Sequence, residues 1–215
     1  MKKYLVIGNP IEHSLSPRLH NYWINQNKIK AIYDKKLINE KEIKDIIFQI
    51  KSGDITGVNV TVPFKKSVIP HLEKLSPEAN ASQSVNTIYL EDNKITGHNT
   101  DIAGFELSLR YHKYDVKDKK VLILGAGGVA PSIILGLKKM SASQIMLCNR
   151  TKSKAENLKK IYDYLDVVNW GDMPEFDMIV NATSVGLKKN EEININFKKS
   201  GQNKFYYDVI YNPRE

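Results

Sequence analysis

The feature that most constrains this chain is a glycine-rich turn between an apolar run and a helical pattern. The letters V-L-I-L-G-A-G-G-V-A begin with a predicted buried strand, Val121–Leu124, and lead into a predicted helix, Val129–Lys139. In this G-x-G-x-x-A form, Gly125 permits the tight turn and Gly127 lets the backbone approach a pyrophosphate, while the alanine permits close helix–sheet packing. The context therefore predicts a Rossmann-type unit with a dinucleotide phosphate at the helix N-terminus.

Strand and helix patterns alternate along the chain, which predicts an α/β fold whose second half is a doubly wound parallel sheet. The predicted elements of that half are strands Val121–Leu124, Gln144–Cys148, Asp177–Val180 and Phe205–Ile210, and helices Val129–Lys139 and Lys152–Tyr164. Those of the first half are strands Tyr4–Ile7, Ile32–Leu37 and Gly57–Val62, a hairpin over Val85–Thr96 turning at Asp92-Asn93, and helices Pro17–Asn27 (capped by Ser16), Asn39 to Gly53 and Asp101–Tyr111. We place the domain boundary near the last of these helices, giving residues 1–101 and 102–215.

The chain has 215 residues and a net charge of +8, and 28 of its 32 basic residues are lysines. A basic surface favours anionic partners without choosing among them. The lysines are scattered as pairs, and no run has the density of a nucleic-acid-binding arm, so we expect no nucleic-acid partner. The longest uncharged run has 17 residues with glycines at its centre, and we predict no membrane segment.

One cysteine, Cys148, excludes an intramolecular disulfide and a cysteine-based zinc cluster. It lies in an apolar strand pattern, which favours a buried thiol over a nucleophile. We expect a cytoplasmic protein without a bound metal, since the apolar stretch at the N-terminus is also too short for a signal peptide.

The end of the second Rossmann strand predicts which dinucleotide is bound. An NAD site carries Asp or Glu there to bind the ribose hydroxyls, whereas this chain has Asn149-Arg150-Thr151. A guanidinium and a hydroxyl suit a 2′-phosphate, which a carboxylate would repel. The predicted cofactor is therefore NADP(H).

Polar residues in the first half cluster at the ends of predicted strands, where open α/β sheets bind ligands. They are Ser14 and Ser16 after the first strand, Asn59, Thr61 and Lys65 on and after a later strand, and Asn86 and Asp101 around the hairpin. Singly each has an ordinary structural explanation, as a cap, a buried amide or a solvated charge. Together they offer hydroxyl, amide, ammonium and carboxylate groups suited to a small polyhydroxylated acid.

At this level of detail the sequence resembles the shikimate dehydrogenase family over the entire chain. The segments that carry the resemblance are I-G-N-P-I-x-H-S-L-S-P (7–17), N-V-T-V-P-F-K (59–65), V-N-T (85–87), N-T-D (99–101), G-A-G-G-V-A (125–130), N-R-T (149–151), N-A-T-S-V-G (181–186) and D-V-I-Y-N-P (208–213). The glycine element is generic among dinucleotide enzymes, whereas the S-L-S-P, N-V-T-V-P-F-K and N-T-D set is specific.

The resemblance implies a substrate-binding and catalytic domain followed by an NADP-binding Rossmann domain. It also implies the reversible NADPH-dependent reduction of 3-dehydroshikimate to shikimate, on the route to aromatic amino acids. The implied substrate residues are Ser14, Ser16, Asn59, Thr61, Asn86, Asp101 and Tyr211, with Lys65 as the acid/base beside Asp101. The implied cofactor residues are Gly125, Ala126, Gly127, Gly128, Val129, Asn149, Arg150, Thr151, Thr183 and Val209.

Alternatives stay open at this stage. They are a quinate or shikimate dehydrogenase that uses NAD, a dinucleotide-binding module without chemistry, and His13 rather than Lys65 as the acid/base. The sequence leaves a homodimer open as well. Family members continue beyond the D-V-I-Y-N-P segment into closing helices with a substrate-contacting glutamine, whereas this sequence stops at Arg214-Glu215. We expect a truncated form rather than a natural short one, with weaker NADP binding and poor turnover.

Overall fold

The computed structural model describes residues 1–187, 191–197 and 201–211, and the chain divides into two compact units, residues 1–100 and 101–215. Asp101, the first residue of the second unit, also begins a helix. Each unit has its own sheet and its own buried apolar core.

The first unit is a six-stranded mixed sheet flanked by helices. Its elements are β1 (Lys2–Gly8), α1 (Ser16–Gln26), β2 (Ala31–Leu37), α2 (Ile43–Lys51), β3 (Gly57–Val60), β4 (Lys74–Leu75), α3 (Pro77–Ser82), β5 (Thr87–Glu91) and β6 (Lys94–His98), with short 3-10 helices at Glu40–Glu42 and Ile69–His71. The strand order is β2-β1-β3-β5-β6-β4. Strands β1, β2 and β3 run parallel, and β5 pairs antiparallel with both β3 and β6.

Local sequence explains these elements. Asn39 and Glu42 form a capping box ahead of α2. The side chain of each residue accepts a hydrogen bond from the backbone at the other end of the box. The helix then buries Ile43, Ile46 and Ile50, whose spacing puts them on one face against the sheet.

The hairpin turns at Asp92-Asn93, where both residues have positive φ, the conformation that a two-residue hairpin turn requires.

The second unit is a five-stranded, all-parallel sheet. Its elements are α4 (Asp101–Tyr111), β7 (Lys120–Leu124), α5 (Ala130–Lys139), β8 (Gln144–Cys148), α6 (Lys152–Ile161), β9 (Leu165–Val167), β10 (Met178–Asn181) and β11 (Phe205–Asp208). The strand order is β11-β10-β7-β8-β9. The order reverses between β7 and β10, which is the switch point where doubly wound sheets bind their ligands. The predicted α/β class and the predicted Rossmann-type parallel sheet are confirmed.

Three details of the sequence prediction are wrong. The helix predicted over Lys152–Tyr164 ends at Ile161, because the chain turns to form the short strand β9 and buries the ring of Tyr162. Helix α3 and strand β4 were not predicted, because both are too short to give a periodic signal. Ser16 does not cap α1: Leu15 occupies the N-cap position, and the hydroxyl of Ser14 accepts the amide hydrogen of Ser16 instead.

No helix in the described parts of the chain is both long enough and apolar enough to cross a membrane.

Cys148 lies at the end of β8, fully buried beneath apolar side chains. Burial raises the pKa of its thiol to about 12, because an apolar surrounding disfavours the thiolate. At pH 8 only a trace of thiolate exists, so we expect a thiol reagent to label the folded chain at least about 100-fold more slowly than the unfolded chain. The labelling rate should rise with pH. Equal rates for folded and guanidinium-unfolded protein would contradict the burial, and Cys148→Ser provides the blank.

Candidate active site

The polar residues predicted for the first unit gather along one edge of its sheet. The amide of Thr61 donates to the carbonyl of Ile7 (2.9 Å), and the amide of Asn86 donates to the carbonyl of His98 (3.0 Å). The carboxyl ends of β1, β3 and β6 and the start of the antiparallel β5 therefore lie side by side. This edge collects side chains that are distant in sequence.

The turns that follow β1 and β3 touch each other because position 8 is glycine. A Cβ atom on Gly8 would lie 2.5 Å from the Cγ2 atom of Thr61 and 3.1 Å from the carbonyl oxygen of Val62, so a side chain there would require Thr61 to shift and would crowd the turn after β3. The amide of Asn9 then donates to the same carbonyl of Val62 (2.9 Å).

Ser14 and Ser16 lie at the start of α1, and both are half-buried. The Ser14 Oγ accepts the amide hydrogen of Ser16 at 3.3 Å. The first turn of α1 carries no acidic residue, and its N-cap residue makes no side-chain capping bond. Two hydroxyls at an uncapped, positively polarised helix end suit a carboxylate.

Lys65 is held on the turn after β3 by its backbone neighbours. Phe64 is buried and its amide donates to the carbonyl of Thr61 (2.9 Å), while the carbonyl of Lys65 accepts from Val85 (2.8 Å). The side chain of Lys65 is half-buried, whereas that of Lys66 is exposed. The lysine that the sequence singles out is thus less exposed than its neighbour.

The two predicted asparagines make side-chain bonds within the unit. The Oδ1 of Asn86 accepts from the amide of Thr100 (3.0 Å), and its Nδ2 donates to the hydroxyl of Thr100 (2.8 Å). The Oδ1 of Asn59 accepts from the hydroxyl of Tyr33 (2.6 Å), and its Nδ2 donates to the hydroxyl of Thr87 (3.0 Å). Sequence reasoning missed Tyr33, and it included Thr87 and Thr100 in the V-N-T and N-T-D segments without giving either a role.

In the second unit the glycine turn follows β7 at the switch point of the sheet. Gly125 has φ +103°, and its amide donates to the carbonyl of Cys148 (2.8 Å). A Cβ atom there would lie 2.9 Å from the carbonyl of Ala182, so both conformation and space demand glycine. Helix α5 follows with Val129 at its N-cap position and no side-chain capping bond.

The space around Gly127 indicates whether a dinucleotide fits this turn. A Cβ atom on Gly127 would meet only the carbonyl oxygen of Ala182 at 3.7 Å, an ordinary contact, and its φ lies outside the range that disfavours side chains. The protein's own packing therefore does not require glycine at this exposed position. A pyrophosphate lying against the backbone would require it, so the residues fit such a group.

The turn after β8 is tied to the glycine turn. The Oδ1 of Asn149 accepts from the amide of Ala126 (3.0 Å), and its Nδ2 donates to the carbonyl of Thr151 (2.8 Å). Arg150 is exposed and, within the described part of the chain, forms no ion pair or hydrogen bond. Thr151 is the exposed N-cap residue of α6 and makes no capping bond. These groups suit an anionic ribose phosphate.

The remaining predicted residues follow β10 and β11. The hydroxyl of Thr183 donates to the Oδ1 of Asn181 (2.7 Å), whose Nδ2 donates to the carboxylate of Asp208 (3.0 Å). The amide of Val209 donates to the carbonyl of Asn181 (3.1 Å). These bonds fix the loop after β10 to the end of β11. Tyr211 is exposed.

Among residues 1–187, 191–197 and 201–211, no group of three or more His, Cys, Asp and Glu side chains is placed to hold a metal ion.

An α/β unit with a polar sheet edge, together with a Rossmann unit whose glycine turn fits a pyrophosphate, is typical of a dinucleotide-dependent oxidoreductase. Residues 6–88 match the model of the shikimate dehydrogenase substrate-binding domain, and residues 106–215 match the model described as shikimate / quinate 5-dehydrogenase. The chain belongs to the shikimate dehydrogenase family.

Individual relatives support the same family assignment. The chain is 59% identical over 214 residues to a shikimate dehydrogenase (NADP(+)) of Pelagibacter ubique, covering all of this chain and 81% of the relative. It superposes on the Thermus thermophilus shikimate 5-dehydrogenase, solved with NADP(H) and shikimate, with TM-score 0.89, 28% identity and coverage of 99% and 80%. A Listeria monocytogenes shikimate 5-dehydrogenase, solved with shikimate and NAD, gives TM-score 0.87, 29% identity and coverage of 100% and 80%. The predicted family and the predicted oxidoreductase class are confirmed.

Two glycine substitutions separate folding from cofactor binding. We expect Gly125→Ala to lower the free energy of unfolding by about 1–3 kcal/mol, because alanine is strained at that φ and meets Ala182. We expect Gly127→Ala to fold normally but to bind NADP⁺ at least about tenfold more weakly, because its methyl group occupies the space of the pyrophosphate. Denaturant unfolding and calorimetric titration measure the two effects. Unchanged NADP⁺ affinity in Gly127→Ala would remove this turn from phosphate binding.

Proposed function

We propose that this chain catalyses the reversible NADPH-dependent reduction of 3-dehydroshikimate to shikimate, a step of aromatic amino acid biosynthesis. The observation that carries the proposal is the polar edge of the first sheet, where carboxylate-binding and hydroxyl-binding groups lie beside a half-buried lysine. Family membership supports the same reaction.

The substrate is a cyclic acid with several hydroxyl groups, and the edge of the first sheet offers a partner for each kind of group. The hydroxyls of Ser14 and Ser16 bind its carboxylate at the start of α1. Thr61 and Asn86 bind ring hydroxyls, and their neighbouring turns keep them in fixed positions. Asp101 and Tyr211 complete the substrate contacts that the family resemblance implies.

Lys65 transfers the proton between its amine and the substrate oxygen. When bound, the cofactor supplies a hydride to the ring carbonyl carbon and is oxidised to NADP⁺. The carbonyl oxygen then takes on alkoxide character, and the Lys65 Nζ donates a proton to it, giving the alcohol. In the oxidative direction the neutral amine of Lys65 accepts the hydroxyl proton as hydride leaves the carbon. Asp101 orients the ammonium group.

NADP(H) is the cofactor, held at the switch point of the second sheet. The backbone of Gly125, Ala126, Gly127, Gly128 and Val129 would hold the pyrophosphate at the start of α5. Asn149, Arg150 and Thr151 would hold the adenosine ribose and its 2′-phosphate, and Thr183 and Val209 would contact the rest of the cofactor. The exposed guanidinium of Arg150 supports NADP over NAD.

We expect Lys65→Ala to lower kcat for shikimate oxidation at least about 100-fold while KM for shikimate changes little, because the lysine acts on the proton of the transition state. Lys66→Ala is the matched control, since Lys66 is the adjacent, exposed lysine. Initial rates of NADPH formation and consumption, with shikimate, 3-dehydroshikimate and quinate in parallel, measure the effect. Near-normal turnover of Lys65→Ala would remove this residue from the chemistry, and preference for quinate would overturn the substrate.

We expect Arg150→Ala to raise KM for NADP⁺ by about 10–100-fold and to leave KM for NAD⁺ within about twofold, because only NADP⁺ carries the 2′-phosphate that pairs with the guanidinium. Arg110→Ala is the control, an exposed arginine on α4 of the same unit. The comparison needs constant salt, since added ions screen the pair. Equal losses with both cofactors would mean that Arg150 does not select the phosphate.

A further inference from the structure

A chain of side-chain hydrogen bonds crosses one face of the first sheet and ends on Asn86. The hydroxyl of Tyr33 donates to the Oδ1 of Asn59 (2.6 Å), whose Nδ2 donates to the hydroxyl of Thr87 (3.0 Å). The hydroxyl of Thr87 donates in turn to the Oδ1 of Asn86 (3.0 Å). We call Tyr33, Asn59 and Thr87 the sheet relay.

Backbone groups fix the direction of every bond in the sheet relay. The carbonyl of Asn86 can only accept, so the Asn59 atom 3.2 Å from it is the donor Nδ2. The amide of Thr100 can only donate, so the Asn86 atom 3.0 Å from it is the acceptor Oδ1. The hydroxyl of Tyr33 must then donate to Asn59, and the hydroxyl of Thr87 must accept from Asn59 and donate to Asn86. The placement of the hydrogens follows without further choice.

The first member of the sheet relay is held rigidly. Tyr33 is buried on the edge strand β2, and the side chain of Asn21 bonds both its carbonyl (2.7 Å) and its amide (3.0 Å). The ring of His20 stacks on the ring of Tyr33 with centroids 4.2 Å apart. A hydroxyl fixed in this way can orient the amide that it contacts.

The Asn59 amide is occupied within the protein at both ends. Its oxygen accepts from Tyr33, and its two N–H groups point at the Asn86 carbonyl and the Thr87 hydroxyl. An amide nitrogen has only these two hydrogens to donate. Asn59 therefore acts on a ligand through Asn86 rather than by donating to the ligand itself.

We propose that Tyr33, Asn59 and Thr87 are positioning residues that set the amide orientation of Asn86 for binding a ring hydroxyl of the substrate. The inference rests on the proposed function for the identity of the ligand. Without the Thr87 hydroxyl, the Asn86 oxygen loses a hydrogen-bond donor and its amide is held less firmly, which weakens binding in ground state and transition state alike.

A pair of substitutions at Thr87 distinguishes hydrogen bonding from packing. Thr87→Val keeps the shape of the side chain and loses the hydroxyl, whereas Thr87→Ser keeps the hydroxyl and loses the methyl group. We expect Thr87→Val to raise KM for shikimate by about tenfold with kcat within about threefold, and Thr87→Ser to restore KM to within about twofold. KM for NADP⁺ stays unchanged in both. The opposite pattern, with Val neutral and Ser impaired, would mean that Thr87 only packs.

Tyr33→Phe tests the far end of the sheet relay. It keeps the ring that stacks on His20 and removes only the hydroxyl, and we expect KM for shikimate to rise about fivefold. Tyr4→Phe is the matched control, because Tyr4 is the register partner of Tyr33 on β1 and its hydroxyl makes no hydrogen bond among the described residues. Equal KM values for Tyr33→Phe and Tyr4→Phe would overturn the inference.

A measurement without turnover separates the inference from the proposed function. The side-chain amide resonances of Asn86 in an ¹⁵N-labelled full chain report its hydrogen bonds without any ligand. We expect them to shift in Tyr33→Phe and in Thr87→Val but not in Tyr4→Phe. Failure of the unaltered chain to oxidise shikimate would contradict the proposed function. Asn86 resonances that do not shift in Tyr33→Phe and Thr87→Val would contradict the role of the sheet relay.

Discussion

The close approach of the turns after β1 and β3 is the contact on which the polar edge of the first unit depends. Gly8 permits it because it has no side chain: a Cβ would collide with the methyl group of Thr61 and crowd the carbonyl of Val62. With the turns in contact, backbone bonds join them, and the neighbouring turn fixes Lys65 through its carbonyl. A substitution at Gly8 would therefore disturb the proposed substrate site indirectly, because Thr61 and the turn after β3 would have to shift.

The second unit has a corresponding constraint at Gly125. There φ is +103° and the backbone of Ala182 leaves no space for a methyl group, so this glycine belongs to the fold itself. Gly127, two residues later, has space and a φ outside the left-handed region, so packing does not explain its lack of a side chain, whereas the proposed pyrophosphate contact would. One glycine pattern in the sequence thus contains two different physical requirements, and the geometry of the two positions agrees with the roles that the motif predicts for them.

Sequence predicted the long elements and the family because both leave local signals. Helical and alternating periodicity mark α2, α5 and the buried strands, and the polar residues after strand ends mark the edge at which a ligand binds. Short elements such as β9 and α3 leave no such signal, since their formation depends on contacts made elsewhere in the fold. Tyr33 was missed for the same reason, and Thr87 was noted only as part of the V-N-T segment, without a role. Both are strand residues, and only the register of β2, β1, β3 and β5 brings them into line with Asn59.

Both units use asparagine to join turns at the ends of their strands, and the chemistry of the amide explains why. The Asn86 side chain accepts from the amide of Thr100, and the Asn59 side chain donates to the carbonyl of Asn86. The Asn149 side chain accepts from one backbone amide and donates to one backbone carbonyl. Asn181 makes the same two kinds of bond within the turn that follows it. A carboxylate of the same size could accept from the amides but could not donate to the carbonyls, and its charge would also oppose an anionic substrate or cofactor phosphate. Asparagine alone among side chains of this length offers both polarities without charge, so the residues that hold these turns together are also compatible with the anionic substrate and cofactor proposed to bind beside them.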